Sequence, residues 1–186
     1  MNICVFCSAN DLDKKYVTPS QELAELLGRA GHTLLWGGSD LGLMKVMADG
    51  VQSQGGKLVG VTMKLFEEFA RKSADAMIVT QTLTERKSLL LKRADVIIVL
   101  PGGLGTLDEL TEVIEHKRHG VHNCDIIILN TDGFYDGLKM QLQRMQDEGF
   151  LPIVEAGQDT ATDLSRWVRF VKTPAKVIEL MEVTSR

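Results

Sequence analysis

The chain has 186 residues, 44% hydrophobic and 25% charged, with a formal net charge of −4. Its length and balance fit one soluble globular domain, 1–186. The net acidity argues against non-specific nucleic-acid binding, and no apolar run approaches the ~20 residues that span a bilayer.

The N-terminal residues 1–6 lack a basic n-region and read as a first strand, not a signal peptide. From there, short apolar runs alternate with segments of helical period, the pattern of an α/β protein with a parallel sheet and crossover helices. The strand candidates are 3–6, 33–36, 58–61, 77–79, 96–100, 126–129 and 167–171. Their near-continuous apolar character predicts burial on both faces. A first helix is expected over 19–30, with Thr18 as cap, Pro19 in the first position, Gln21 completing a capping box and Gly31 after the end. Leu23, Leu26 and Leu27 form its core stripe. A second helix is expected over 40–54, with Leu43, Met44, Met47 and Val51 on one face and Gly55 ending it. A third is expected over 62–72, from the apolar positions Met63, Leu65, Phe66 and Phe69. A helix capped by Thr84 precedes the run Leu89-Leu90-Leu91, another runs to about His119, and a last one starts at Thr173-Pro174 with Val177, Ile178 and Met181 on one face.

The nonapeptide Pro101-Gly102-Gly103-Leu104-Gly105-Thr106-Leu107-Asp108-Glu109 follows the run 96–100 and opens a helix. Strand, glycine-rich turn and helix together present backbone N–H groups and a positive helix end to a phosphate. A carboxylate closes the stretch, which adds chemistry to binding. Loop geometry alone also produces such turns in α/β proteins. A second glycine turn, Gly37-Gly38-Ser39-Asp40-Leu41-Gly42, and the turn Cys7-Ser8-Ala9-Asn10 fall at the same carboxyl edge of the sheet, so three turns line one cleft. Neither glycine turn is a standard nucleotide motif. Asp108 stands where the third glycine of G-x-G-x-x-G would be, and Gly56-Lys57 is followed by Leu58, not Ser or Thr. Arg86-Lys87 places two cations in the first turn of a helix, opposing its dipole by up to ~1 kcal/mol each unless a phosphate or carboxylate faces them.

The three cysteines, Cys4, Cys7 and Cys124, fit reduced thiols in a cytoplasmic chain. Cys4 and Cys7 match C-x-x-C, but residues three apart on a strand point to opposite faces. His116, His119 and His122 straddle Gly120, which ends the helix before the third of them. No metal site is expected from either group.

Taken together, these residues resemble the Lonely Guy (LOG) family of nucleoside 5′-monophosphate phosphoribohydrolases. The family pattern PGGxGTxxE is matched in full by 101–109, Arg86-Lys87 precedes it at the family spacing, and Gly37 to Met44 is similar to the family's GG…GLM turn. The resemblance covers most of the chain, from the first strand to about Gly149. It implies a Rossmann-like, doubly wound parallel sheet with helices on both faces, and a homodimer with the active site near the subunit interface. It also implies hydrolysis of the N-glycosidic bond of AMP or N6-modified AMP to free base and ribose 5-phosphate. On the matched positions it makes Arg86 and Glu109 the catalytic pair. It makes Gly102, Gly103, Gly105 and Thr106 phosphate-binding, with Lys87, Asp108, Ser8, Gly37 and Gly38 lining the substrate site. No metal or organic cofactor, nucleic acid or membrane partner is implied. Such sequences often carry a lysine decarboxylase label, and nothing here supports a pyridoxal-phosphate lysine site. The chain departs from the family at Leu83-Thr84-Glu85, where the usual segment is Met-His-x, and at Lys45, where GLMG has its last glycine. It departs again at Cys7-Ser8-Ala9, which lacks the usual glycine, and at Val61-Thr62-Met63, where the family has Val-Ile-Pro.

The residues fit that chemistry in their own right. Glycosidic cleavage passes through an oxocarbenium-like sugar, which a carboxylate such as Glu109 stabilises while orienting water. Arg86 suits a fork-shaped contact that positions Glu109. The alternative is a non-catalytic carrier of a nucleotide or molybdenum cofactor, which needs the cradle but not the pair. Val113-Ile114 and the helix surface after it are the expected dimer contact.

Overall fold

The computed structural model describes residues 1–151 and 163–184. Seven strands alternate with six α-helices: β1 (Asn2–Phe6), α1 (Lys14–Arg29), β2 (Thr33–Trp36), α2 (Gly42–Ser53), β3 (Lys57–Met63), β4 (Ala76–Thr80), α3 (Leu83–Arg93), β5 (Val96–Val99), α4 (Leu104–Arg118), β6 (Asp125–Leu129), α5 (Asp136–Asp147), β7 (Arg169–Val171) and α6 (Pro174–Thr184). The strands form one sheet in the order β4-β3-β2-β1-β5-β6-β7, and every pairing is parallel. The chain steps outward from β1 to β4, then returns through α3 to lay β5 against the other side of β1. The strand order therefore reverses between β1 and β5, where a doubly wound sheet opens a crevice at its carboxyl edge.

The period-2 alternation of the strands divides the core into two layers. Ile3, Val5 and Ile98 face one side, packed by Leu23 and Leu27 of α1, Met47 and Val51 of α2, and Val177 of α6. Cys4, Phe6, Ile97 and Val99 face the other, packed by Leu90 of α3, Leu110 of α4 and Leu142 of α5. Cys4 and Cys7 lie in opposite layers, as strand geometry requires.

Five expectations change. The first helix starts at Lys14, not Pro19, because the Asp13 carboxylate accepts the Lys15 N–H at 2.9 Å and caps it earlier than Thr18 does. The third expected helix, 62–72, does not form. Thr62 and Met63 continue the β3 ladder against Val79 and Thr80, and only a 3-10 stretch, Lys64–Phe69, follows. That stretch is held down by Asp40 N–H to Phe69 O, Arg71 N–H to Gly38 O and a Ser39–Ala70 bridge, and Leu65, Phe66 and Phe69 stay exposed. α3 is capped by Thr82, whose hydroxyl accepts the Glu85 N–H, and not by Thr84. Helix α5 was not expected. Its apolar positions Leu138, Leu142 and Met145 have helical spacing but are diluted by charged and amide residues. Val113 and Ile114 belong to this chain's own core, 4% and 5% exposed, so they are closed to a second subunit.

Candidate active site

At the crevice, β1 and β5 are joined by Leu100 N–H to Phe6 O at 2.9 Å and Ser8 N–H to Pro101 O at 3.3 Å. The chain then turns through Gly102 and Gly103 into α4. Gly103 caps the helix without a side chain, and the first internal bond runs from Leu107 N–H to Gly103 O. The N–H groups of Leu104, Gly105 and Thr106 thus precede the first helical bond and have no partner within the helix. A Cβ on Gly103 or Gly105 would meet nothing within 4 Å, so the space before these donors is open. Gly102 has a different role: a Cβ there would lie 2.1 Å from the Thr106 hydroxyl oxygen.

One turn further along α4, Glu109 is buried. It faces Arg86 from the first turn of α3, with Nη1 donating to Oε1 at 2.9 Å. The guanidinium is also fixed from behind, Nε donating to Val61 O at 3.0 Å. The pair shows this one-point contact in place of the expected fork, and Nη2 lies against Gly37. Burial pushes the Glu109 carboxyl up, and Arg86 pulls it back only in part, so it sits above the ordinary glutamate range. Lys87 pairs with Asp108 at 2.9 Å and with Glu112. The anions that offset two cations in the first turn of α3 are therefore carboxylates of α4, and these contacts tie the two helices together.

The turn after β2 meets this pair from the other side. A Cβ on Gly37 would stand 2.2 Å from Arg86 Nη2. Gly38, at φ +80°, faces Met77 and gives its carbonyl to Arg71, so it supports the turn and does not touch the pair. Ser8 is buried, with its hydroxyl accepting the Asn10 N–H and its carbonyl accepting the Met44 N–H at the start of α2. The structure thus brings Gly37, Arg86 and Glu109 into contact, sets Gly102 against Thr106 in the cradle, and joins Ser8 to it through Pro101. Lys87 and Asp108 form a brace between α3 and α4.

Tyr135 was not expected here. It follows the loop after β6, is buried, and its hydroxyl donates to Leu100 O at 2.8 Å, behind the glycine turn. Its one signal in the sequence is a position just beyond a strand end on the carboxyl edge. Away from the crevice, His119 Nε2 lies 2.9 Å from Glu115 and His122 Nε2 lies 2.8 Å from Val113 O.

Gly37→Ala is expected to fold, because the atom it displaces is the tip of a flexible side chain, but to push Arg86 away from Glu109. A crystal structure of the variant that kept the 2.9 Å contact would remove Gly37 from the site.

A family model described as "Possible lysine decarboxylase" matches residues 44–181. The cytokinin riboside 5′-monophosphate phosphoribohydrolase of Mycobacterium tuberculosis (strain ATCC 25618 / H37Rv) is 35% identical over 151 residues, spanning 80% of this chain and 81% of that protein. The cytokinin riboside 5′-monophosphate phosphoribohydrolase LOG2 of Arabidopsis thaliana is 36% identical over 152 residues, spanning 80% and 71%. Among solved structures, the molybdenum cofactor binding protein of Rippkaea orientalis superposes with a TM-score of 0.75 at 21% identity, covering 100% of this chain and 97% of that one. The molybdenum cofactor carrier protein of Chlamydomonas reinhardtii does so with a TM-score of 0.71 at 20% identity, covering 99% and 97%. At such identities the structural likeness shows the fold alone. The family match and the relatives above 30% identity do more: this chain belongs to the LOG family of phosphoribohydrolases, whose family model carries the lysine decarboxylase description.

Proposed function

We propose that this chain hydrolyses the N-glycosidic bond of nucleoside 5′-monophosphates, AMP or N6-modified AMP, to free base and ribose 5-phosphate. The observation that carries the reading is the buried Arg86–Glu109 pair one helical turn beyond the open N-terminus of α4. One turn of helix is about 5 Å, which suits the reach from the phosphate of ribose 5-phosphate to its anomeric carbon. Side chains on a helix lean toward its N-terminus, so the Glu109 carboxylate slants toward the cradle. The phosphate occupies the free N–H groups of 104–106 and fixes the sugar. The ionised Glu109 stabilises the positive charge that develops on the ribose ring and orients the attacking water. Its poor solvation strengthens that interaction relative to water. Arg86 holds the carboxylate in place and favours its charged form. The mechanism calls on no metal or organic cofactor.

We place the protein in the cytoplasm and as a homodimer. Cys4, Cys7 and Cys124 are all free, which suits a reducing compartment. Among the described residues, no helix is long and apolar enough to cross a membrane. Leu65, Phe66, Phe69, Leu83 and Leu104 are exposed on segments that leave the carboxyl edge of the sheet or lead into the crevice, and they are the apolar surface offered to a second copy.

Incubation with a nucleotide panel, read by chromatography, is expected to release free base from AMP-type monophosphates and little from adenosine. Equal turnover of AMP and adenosine would remove the cradle from the mechanism. Tight binding of a nucleotide without release of base would favour the carrier alternative.

Glu109→Gln is expected to lower kcat by about 10²-fold or more while nucleotide still binds. Arg86→Ala should be similarly impaired, and Arg86→Lys only partly restored, since an ammonium cannot reproduce the fixed guanidinium contacts. The acid limb of kcat/KM should lie above the ordinary glutamate range: activity falls as pH drops through the raised Glu109 pKa and the carboxylate takes up a proton. In Arg86→Ala the limb of the residual activity should move to higher pH, because the cation that pulled the pKa down is gone. A limb that stays in place would separate Glu109 ionisation from turnover.

Light scattering at micromolar concentration is expected to give twice the 20.6 kDa chain mass, and a monomer mass would refute the dimer.

A further inference from the structure

The hydrogen bonds around the glycine turn are unevenly distributed. Tyr135 donates its hydroxyl proton to Leu100 O at 2.8 Å. Pro101 O is taken by the Ser8 N–H. Leu100 O and Pro101 O, on the approach to the cradle, are thus engaged by protein before any ligand arrives. Gly102 is explained by the nearby Thr106 side chain. Tyr135 itself is firmly held. Its N–H donates to Asn130 Oδ1 at 2.7 Å, and Asn130 Nδ2 donates to Asp136 Oδ1 at 2.7 Å. The Phe134 ring packs edge-on at 4.8 Å. Burial pushes the phenol up, so the donating proton is kept at neutral pH.

We propose that Tyr135 is a positioning residue of the phosphate cradle: its hydroxyl holds Leu100 O, the last carbonyl before Pro101, and so sets the peptide planes of the turn that follows so that the N–H groups of Leu104, Gly105 and Thr106 converge on one anion. A phenol is suited to this task because it donates one hydrogen bond from the end of a rigid ring. It ties the end of β5 to the loop after β6, so the cradle is referred to two strands. The inference rests on the reading of this turn as a phosphate site and deepens it. Gly102 contributes space, and the three amides of the first helical turn contribute the binding.

The test is Tyr135→Phe, which keeps the ring and removes the grip. Ribose 5-phosphate is the probe, with binding measured by calorimetry, alongside AMP kinetics. Dissociation constant and KM are expected to rise together by about tenfold, with kcat within about threefold of wild type, the pattern of lost ground-state binding. A purely structural role would lower the melting temperature and the active fraction with KM unchanged, and that outcome overturns the proposal. So does a wild-type protein that binds no ribose 5-phosphate. If wild type binds ribose 5-phosphate, the variant binds it weakly and neither releases base from any nucleotide, the positioning role stands and the hydrolase reading falls. If AMP is hydrolysed and the variant binds as well as wild type, the reverse holds. Should the variant not fold, proton exchange on the wild type decides. The Tyr135 hydroxyl proton is expected to be protected in the free protein and unchanged by ribose 5-phosphate, while the amides of 104–106 become protected on binding. Fast exchange of the Tyr135 hydroxyl proton in the free protein would overturn the proposal.

Discussion

Two charges are held largely out of water where α3 meets α4: Arg86 and Glu109, 2.9 Å apart, with side-chain exposures of 11% and 8%. Each would be costly there alone, and removal of one partner from such a pair costs about 3–5 kcal/mol through the charge left behind. Much of the surrounding structure serves to keep them together. Val61 at the end of β3 takes a second guanidinium N–H, Gly37 leaves room for the tip, and Lys87 with Asp108 and Glu112 clamps the two helices on the outer side. Three strand ends, β2, β3 and β5, must therefore be in register for one ion pair to form.

The same carboxyl edge poses a second problem, the satisfaction of backbone groups where the strands stop. Several are paired by chain from elsewhere: Ser8 with Pro101 and Met44, Arg71 with Gly38, and Tyr135 with Leu100. The first turn of α4 differs. Its cap is a glycine without a side chain, and the space in front of it is open. The open donors of this turn lie beside the buried carboxylate of α4, Glu109. In the proposed mechanism, binding and chemistry are adjacent because they belong to consecutive turns of one helix.

The fold does not by itself assign a function. Molybdenum cofactor carriers share it across nearly their whole length at about one residue in five. What ties this chain to the phosphoribohydrolases is sequence identity above 30% and the match of 101–109 and Arg86-Lys87 to the family pattern.

The sequence by itself determined the parallel α/β architecture, because strands buried on both faces must be apolar throughout and such runs stand out at 96–99 and 126–129. It also marked the candidate cradle and the candidate catalytic carboxylate, because 101–109 packs strand end, glycine turn, helix start and carboxylate into nine consecutive residues. It misplaced 62–72 because helical spacing of apolar residues says nothing about a neighbouring strand that claims the same backbone, and pairing with β4 is a tertiary event. It passed over α5 because the few apolar residues of this helix are outnumbered by charged and amide ones, so no apolar run draws attention to its stripe. The partners of the charged residues were beyond it for a related reason. That Arg86 meets Glu109 and Gly37, that Lys87 meets Glu112, and that a tyrosine 35 residues after Leu100 holds the carbonyl at the start of the turn all depend on the order in which the strands are laid side by side. Only the tertiary structure decides that order, since parallel strands joined by helical crossovers acquire their neighbours from packing and not from chain proximity.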